Sequence, residues 1–278
     1  MADYVSLIST HYGVRIKALD YMRASEAARR QINAWVEDKT GARIKELIQP
    51  GVLGETTRLV LANAIYFKGL WMSPFEKDNT KDAAFNIAAG QTVQTPMMTE
   101  KVKCRYASLP ACDLLELPYQ GKGMAMTVLL PKEVDGIAKL ERELTAENVA
   151  HWSNELTEQE VLVSLPRFKM TSAFRLEKPL SALGMVDAFH EGKANFAGMD
   201  GRADGLYIGA VIHKAFVEVN EEGTEAAAAT AVAMLRKSAM PMRTPVFRAD
   251  HPFVYLIQER STGSILFMGK LVDPSKAQ

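Results

Sequence analysis

The stretch Gly223-Thr224-Glu225-Ala226-Ala227-Ala228-Ala229-Thr230-Ala231 constrains this chain more than any other. Nearly every side chain in it is small. By propensity it is a helix, because Ala is the best helix former and Glu is a good one. By position it reads differently: it follows an alternating, strand-like run and leads to two adjacent basic residues, Arg236 and Lys237. A segment this small on both faces suits a spare strand that slides into a sheet without overpacking it. The two readings imply different functions.

Composition excludes some classes. At 278 residues, 47% hydrophobic and 24% charged, the chain has the make-up of an ordinary globular protein able to bury a large core. Its 33 basic and 33 acidic residues cancel, so no global charge points to nucleic acid or a membrane surface. No apolar run approaches a membrane span. The start, Met-Ala-Asp-Tyr-Val-Ser, lacks the basic and apolar regions of a signal peptide. Cys104 and Cys112 have neither a disulfide framework nor a metal spacing around them and read as free thiols.

Periodicity places the elements. A short helix over 3–12 ends at Gly13, and Val14, Ile16 and Ala18 recur at period two, which predicts a strand over 14–21. Ser25 reads as the N-cap of a helix whose apolar residues Ala28, Ile32, Trp35 and Val36 share one face, stopped by Gly41. A second helical piece is expected over 44–48. The run 59–67 is apolar almost throughout and reads as a strand buried on both faces, with Asn63 needing polar partners inside it. Strands are expected over 83–87, 92–97, 101–107, 113–117 and 124–130, and a charged helical stretch over 136–156 with a break near Thr145. Further strands are expected over 161–168, 207–219, 252–258 and 264–271, with a helix within 174–183 that stops at Gly184. No repeat or linker divides the chain, so a single mixed α+β domain over 1–278 is the simplest organisation.

No enzyme signature accompanies these elements. The sequence has no phosphate loop, dinucleotide fingerprint, His-Glu-x-x-His or nucleophile elbow. Its five histidines are scattered, and a lone strand histidine such as His213 is more often structural than a base. No cofactor or metal is implied.

Four segments, in order, resemble the serpins, a family of serine protease inhibitors that trap their target by loop insertion. They are Ala27 to Thr40, Leu61-Ala62-Asn63-Ala64-Ile65-Tyr66-Phe67-Lys68-Gly69-Leu70-Trp71, His213 to Ala227, and Ala249 to Phe253 with Gly263 to Lys270. The resemblance covers essentially the whole chain. It implies a large mixed β-sheet, smaller barrel-like sheets, helices, and a reactive loop over about 221–245. It also implies that the family's N-terminal helices and one strand of the large sheet precede the position matching Tyr4 and are missing here. In the family that part supplies polar partners to the positions matching Asn63 and His213.

The resemblance assigns roles. A protease cuts the loop as substrate, and the hinge side enters the large sheet, dragging the acylated protease along. The hinge maps to Glu221, Gly223, Thr224, Glu225, Ala226, Ala227, Ala228, Ala229 and Thr230. Family spacing from Gly223 puts the reactive bond at Lys237–Ser238, with Arg236 the alternative specificity residue. A basic side chain there fits an acidic specificity pocket, so the expected partner is a trypsin-like serine protease. Asn63, Trp71 and His213 match the family's gate for sheet opening. Physics agrees with the hinge role: no proline interrupts 223–239. Extended, 223–237 spans roughly 46–50 Å at about 3.3 Å per residue. The alternatives are a non-inhibitory serpin-like binding or structural protein, and an inactive truncated fragment. An incomplete sheet would favour self-association. An extracellular location is typical of many members, and a cytoplasmic one is compatible with this chain.

Overall fold

The computed structural model describes residues 2–13, 16–202, 205–224 and 244–277. In chain order the elements are α1 (Ala2–Tyr12), α2 (Tyr21–Lys39), β1 (Leu59–Tyr66), β2 (Gly69–Leu70), β3 (Lys81–Ala88), β4 (Gln91–Ser108), β5 (Cys112–Pro118), β6 (Met124–Pro131), α3 (Ile137–Glu143), α4 (Ala146–Glu155), β7 (Thr157–Pro166), β8 (Phe168–Arg175), α5 (Glu177–Ala182), α6 (Ala197–Asp200), β9 (Ile208–Asn220), β10 (Gly223–Thr224), β11 (Val246–Arg248), β12 (Phe253–Glu259) and β13 (Ile265–Leu271). They fall into two compact units, 1–66 with 171–216, and 67–170 with 217–278. Among the described residues no helix is long and apolar enough to cross a membrane.

The first unit is built on α2, β1 and the part of β9 up to Phe216. Asp20, rather than Ser25, is the N-cap of α2, accepting from the Arg23 N–H at 2.9 Å. The helix kinks at Ala24 (φ −142°, ψ 42°), so the regular helix does begin at Ser25. The strand expected over 14–21 is not seen: Val14 and Arg15 lie outside the described residues, 16–20 form no element, and Tyr21 is helical. A period-two pattern becomes a strand only where a neighbour takes up its backbone groups. The helix expected over 44–48 is likewise an ordered loop. Glu46 stands at φ 46°, and side chains of α2 capture Ile48. Asn33 donates to its carbonyl and accepts from its N–H, both at 2.9 Å, and Arg29 donates to the same carbonyl.

β1 pairs in parallel with β9, with Asn63 opposite His213 and Tyr66 opposite Phe216. Val60, Ala62 and Ala64 pack onto Val36, Ile44, Leu47, Ile48, Ala210 and Ile212. The alternate residues Leu61 and Asn63 are exposed. The strand is therefore covered on one face, not two.

The second unit holds an eight-stranded sheet in the order β11-β7-β4-β5-β6-β12-β13, with β3 on β4. The two strands expected over 92–97 and 101–107 are the single strand β4, which changes partner from β3 to β7 at Met97. Pro96, with no N–H to donate, occupies that changeover, where a missing donor costs least. The break near Thr145 is real: its hydroxyl caps α4 by accepting from the Asn148 N–H at 3.1 Å. Helices α3 and α4 bring Leu140 and Trp152 to a core with Leu114, Leu129, Val254 and Leu256. Cys104 and Cys112 are free and buried, and burial pushes their thiols up to about 12 and about 11.

Candidate functional site

The second unit contains a tight reversal where β9 ends. The Asn220 side-chain oxygen accepts from the N–H groups of Glu222 (3.1 Å) and Gly223 (3.2 Å). This local bonding turns the chain back on itself. Gly223 and Thr224 then run as β10, antiparallel to Asn220 and Val219 on one side and to Leu70 and Gly69 on the other. The first inward residue of the predicted hinge is thus already a strand residue with neighbours on both edges.

Glycine is required at 223. Its φ is +151°, and a Cβ there would lie 2.1 Å from the Gly69 carbonyl oxygen and 2.6 Å from the Leu70 Cα. The backbones of β10 and β2 approach this closely because Gly223 has no side chain.

An aromatic floor lies under the reversal. Trp71, 1% exposed, stacks on Tyr119 with centroids 4.6 Å apart and planes 10° apart. The Trp71 indole N–H donates to the Asn220 carbonyl at 2.9 Å, and its backbone N–H to the Glu222 carbonyl. The Tyr119 hydroxyl meets the Thr224 hydroxyl at 2.8 Å, and Thr224 is 0% exposed. Burial pushes the Tyr119 phenol above its ordinary range, so it stays neutral.

Charge fixes the turn from the side. The buried Glu221 carboxylate accepts from Thr80 at 2.7 Å and is paired with Arg167. Burial raises its pKa, but the hydrogen bonds from Arg167 and Thr80 outweigh that and hold it below the usual carboxylate value. Glu222 is paired with Lys77 at 2.7 Å, and the Glu221 carbonyl accepts from the Phe75 N–H.

In the first unit, Asn63 and His213 meet directly: Oδ1 and Nδ1 are 2.8 Å apart. The Phe174 ring stacks against the imidazole at 6.2 Å. The polar partners that Asn63 needs therefore include the histidine opposite it in the ladder.

The structure thus brings Glu221, Gly223, Thr224 and Trp71 into one cluster, and Asn63 and His213 into another. Glu225, Ala226, Ala227, Ala228, Ala229, Thr230, Arg236, Lys237 and Ser238 lie outside the described residues. Sequence reasoning missed Tyr119, Arg167, Thr80 and Asn220. A buried carboxylate at 221 needs a cation and a donor, but nothing local says which of many will arrive from elsewhere in the chain. Only Asn220, an Asn three residues before the turn glycine Gly223, carried a local signal. Among the described residues no group of three or more His, Cys, Asp or Glu could hold a metal ion.

A family model described as serpin (serine protease inhibitor) matches residues 1–274. The chain belongs to the serpin family. That family comprises protease inhibitors rather than enzymes. Relatives of this serpin include the leukocyte elastase inhibitor of Equus caballus, 41% identical over 99% of this chain and 74% of that protein. The Homo sapiens leukocyte elastase inhibitor is 43% identical, over 96% of this chain and 73% of its own length. Among solved structures, uncleaved ovalbumin superposes with a TM-score of 0.87 at 33% identity, over 99% of this chain and 70% of that one. Native protease nexin-1 with heparin gives 0.86 at 32% identity. The chain thus matches about three quarters of these relatives' lengths, in keeping with the expectation that it represents part of the family's fold.

Proposed function

We propose that this serpin is a suicide-substrate inhibitor of trypsin-like serine proteases. A protease cuts Lys237–Ser238, or the bond after Arg236, and the freed hinge extends β10 between its neighbours until the acyl-enzyme is displaced. The observation that carries the reading is Thr224: fully buried, it holds a strand position between β9 and β2 from which the rest of the hinge continues. Strand addition from a seeded residue needs no new nucleus, because the first ladder contacts exist before cleavage. Small side chains at Ala226, Ala228 and Thr230 then suit the inward row.

Asn63 and His213 act as the gate in this reading. Their hydrogen bond joins β1 to β9, and the inserting strand must part that pair. The Glu221–Arg167 and Glu222–Lys77 pairs hold the near end of the loop so that insertion proceeds outward from Thr224.

The relatives named as elastase inhibitors support a serine protease as the partner. The basic pair at 236 and 237 favours an acidic specificity pocket over the small apolar one. Incubation with trypsin and separately with elastase, followed by a denaturing gel, tests both points. A covalent complex with trypsin alone is expected. Cleavage after Lys237 with trypsin fully active sinks the inhibitor reading, and a complex with elastase alone overturns the specificity.

One observation favours a second reading, a non-inhibitory or inactive serpin-like chain that self-associates. Leu61 on β1 is exposed, at 42%, as is Phe174 on β8, both on the face that carries Asn63 and His213. An open apolar face of this kind is an association surface. Light scattering decides it: concentration-dependent oligomers with no covalent protease complex favour the second reading.

A further inference from the structure

We infer that the Tyr119 hydroxyl is a positioning group that registers the hinge, holding Thr224 in the sheet so that the loop is poised with its first inward residue already seated. This rests on the proposed inhibitory reading for its consequence, though not for its geometry.

The geometry is specific. Thr224 is 0% exposed and Tyr119 2% exposed, so bulk solvent reaches neither hydroxyl. They lie 2.8 Å apart, and either can donate. The ladder bonds of β10 alone do not state which side chain faces the phenol; Gly223, where no Cβ fits, and the hydroxyl pair do. A slip by one residue puts Gly223, which has no hydroxyl, or the longer, charged Glu225 side chain opposite the phenol. A charged Glu225 carboxylate would instead have to be buried against an aromatic ring.

Tyr119 is itself held firmly, which a register pin requires. It follows β5, and its backbone N–H donates to the Met124 carbonyl at 3.0 Å, closing the β5–β6 hairpin. The residues on either side tie to β2 and its neighbour: the Met72 N–H donates to the Pro118 carbonyl, and the Gln120 N–H to the Leu70 carbonyl. Its ring is sandwiched by contacts with Trp71, at 4.6 Å, and with Phe67, edge-on at 4.8 Å. A Cβ on Gly69 would come within 2.8 Å of the Tyr119 ring, so the small residue in β2 makes room for the phenol. The pin is thus mounted on the eight-stranded sheet, while the strand it reads belongs to the loop.

The test needs no protease. Tyr119→Phe keeps the ring, its stacking on Trp71 and its packing, and removes only the hydroxyl. Hydrogen–deuterium exchange over 219–224 should rise by about tenfold or more in Tyr119→Phe and in Thr224→Val, and stay at the wild-type level in Thr224→Ser. Trp71 fluorescence should shift to the red in the first two variants, because the stack is intact and only departure of the hinge wets the indole. Tyr106→Phe, which removes a hydroxyl bonded to Asp113 at 3.0 Å in the same unit, should leave exchange at 219–224 unchanged. Unchanged exchange in Tyr119→Phe overturns the inference, and so does a uniform rise across β5, β6 and 219–224, which marks a merely structural tyrosine. A second readout addresses the consequence: the number of chains consumed per trypsin trapped should rise severalfold in Tyr119→Phe, with the rate of attack on the loop maintained. If the wild-type chain traps no protease, the inhibitory reading fails while the exchange result still judges the pin.

Discussion

Glu221 places a buried carboxylate at the foot of the loop, and its bonds to Arg167 and Thr80 hold the turn. Replacing Arg167 with Met should destabilise the second unit by ~1–3 kcal/mol, because it removes a partner from a buried charged group. Denaturant melts check this, and Glu221→Gln should cost less, since the amide still accepts from Thr80. The sign of the pH effect follows from the depressed pKa. The stabilisation is present above the unfolded value of about 4.3 and is lost as pH falls through the lower folded value. Acid should therefore loosen 219–224 in the wild type and change it little in Glu221→Gln, as read by hydrogen exchange. His251 has the opposite sense. Burial disfavours its charge, but Asp250 on one ring nitrogen and the Pro131 carbonyl on the other raise its pKa above the ordinary value. With acceptors on both nitrogens, the imidazolium is the form that fits. Its contribution is full below about pH 6.5 and fades as pH rises through the raised folded value. Melts of the wild type across pH 6 to 9, set against His251→Gln, should show that slope flattened in the variant.

At the scale of elements, β10 is two residues long yet decides how the loop begins. Gly223→Ala should unseat it. The φ of +151° alone costs roughly 1–3 kcal/mol for a residue with a side chain, before the collision with the Gly69 carbonyl. Loss of amide protection at Gly69, Leu70 and Thr224 is the measurement. If the proposed function holds, Thr224→Arg should give a chain that trypsin cuts without being trapped, because a guanidinium cannot enter a site that is 0% exposed. Much at this scale was legible in the sequence. The helix break at Thr145, the stop at Gly184 and the β-rich run from 81 to 131 follow from caps, glycines and alternation. What was not legible shares one cause. The 44–48 loop is held by Asn33 and Arg29 reaching over from α2, and β4 runs through Pro96 because its partner changes there. The single-faced burial of β1 depends on which layer covers it. Each outcome is set by residues distant in sequence, which local periodicity cannot register.

For the whole molecule, order and spacing of four segments carried the family, and the family model over 1–274 agrees. The hinge role proposed for Glu221, Gly223 and Thr224 comes only through that resemblance. Propensity alone makes the alanine stretch helical, since nothing in a run of alanines states that a sheet position waits for it. Tyr119 and Arg167 were invisible because their roles exist only once the chain has folded around Thr224. The central claim is that the loop continues β10 into the sheet when it is cut, releasing energy held by the uninserted chain. Thermal melting of the intact chain and of the same chain nicked between Arg236 and Ser238 measures that release directly. Insertion predicts that the nicked chain melts tens of degrees higher, while an equal or lower melting temperature after nicking contradicts it.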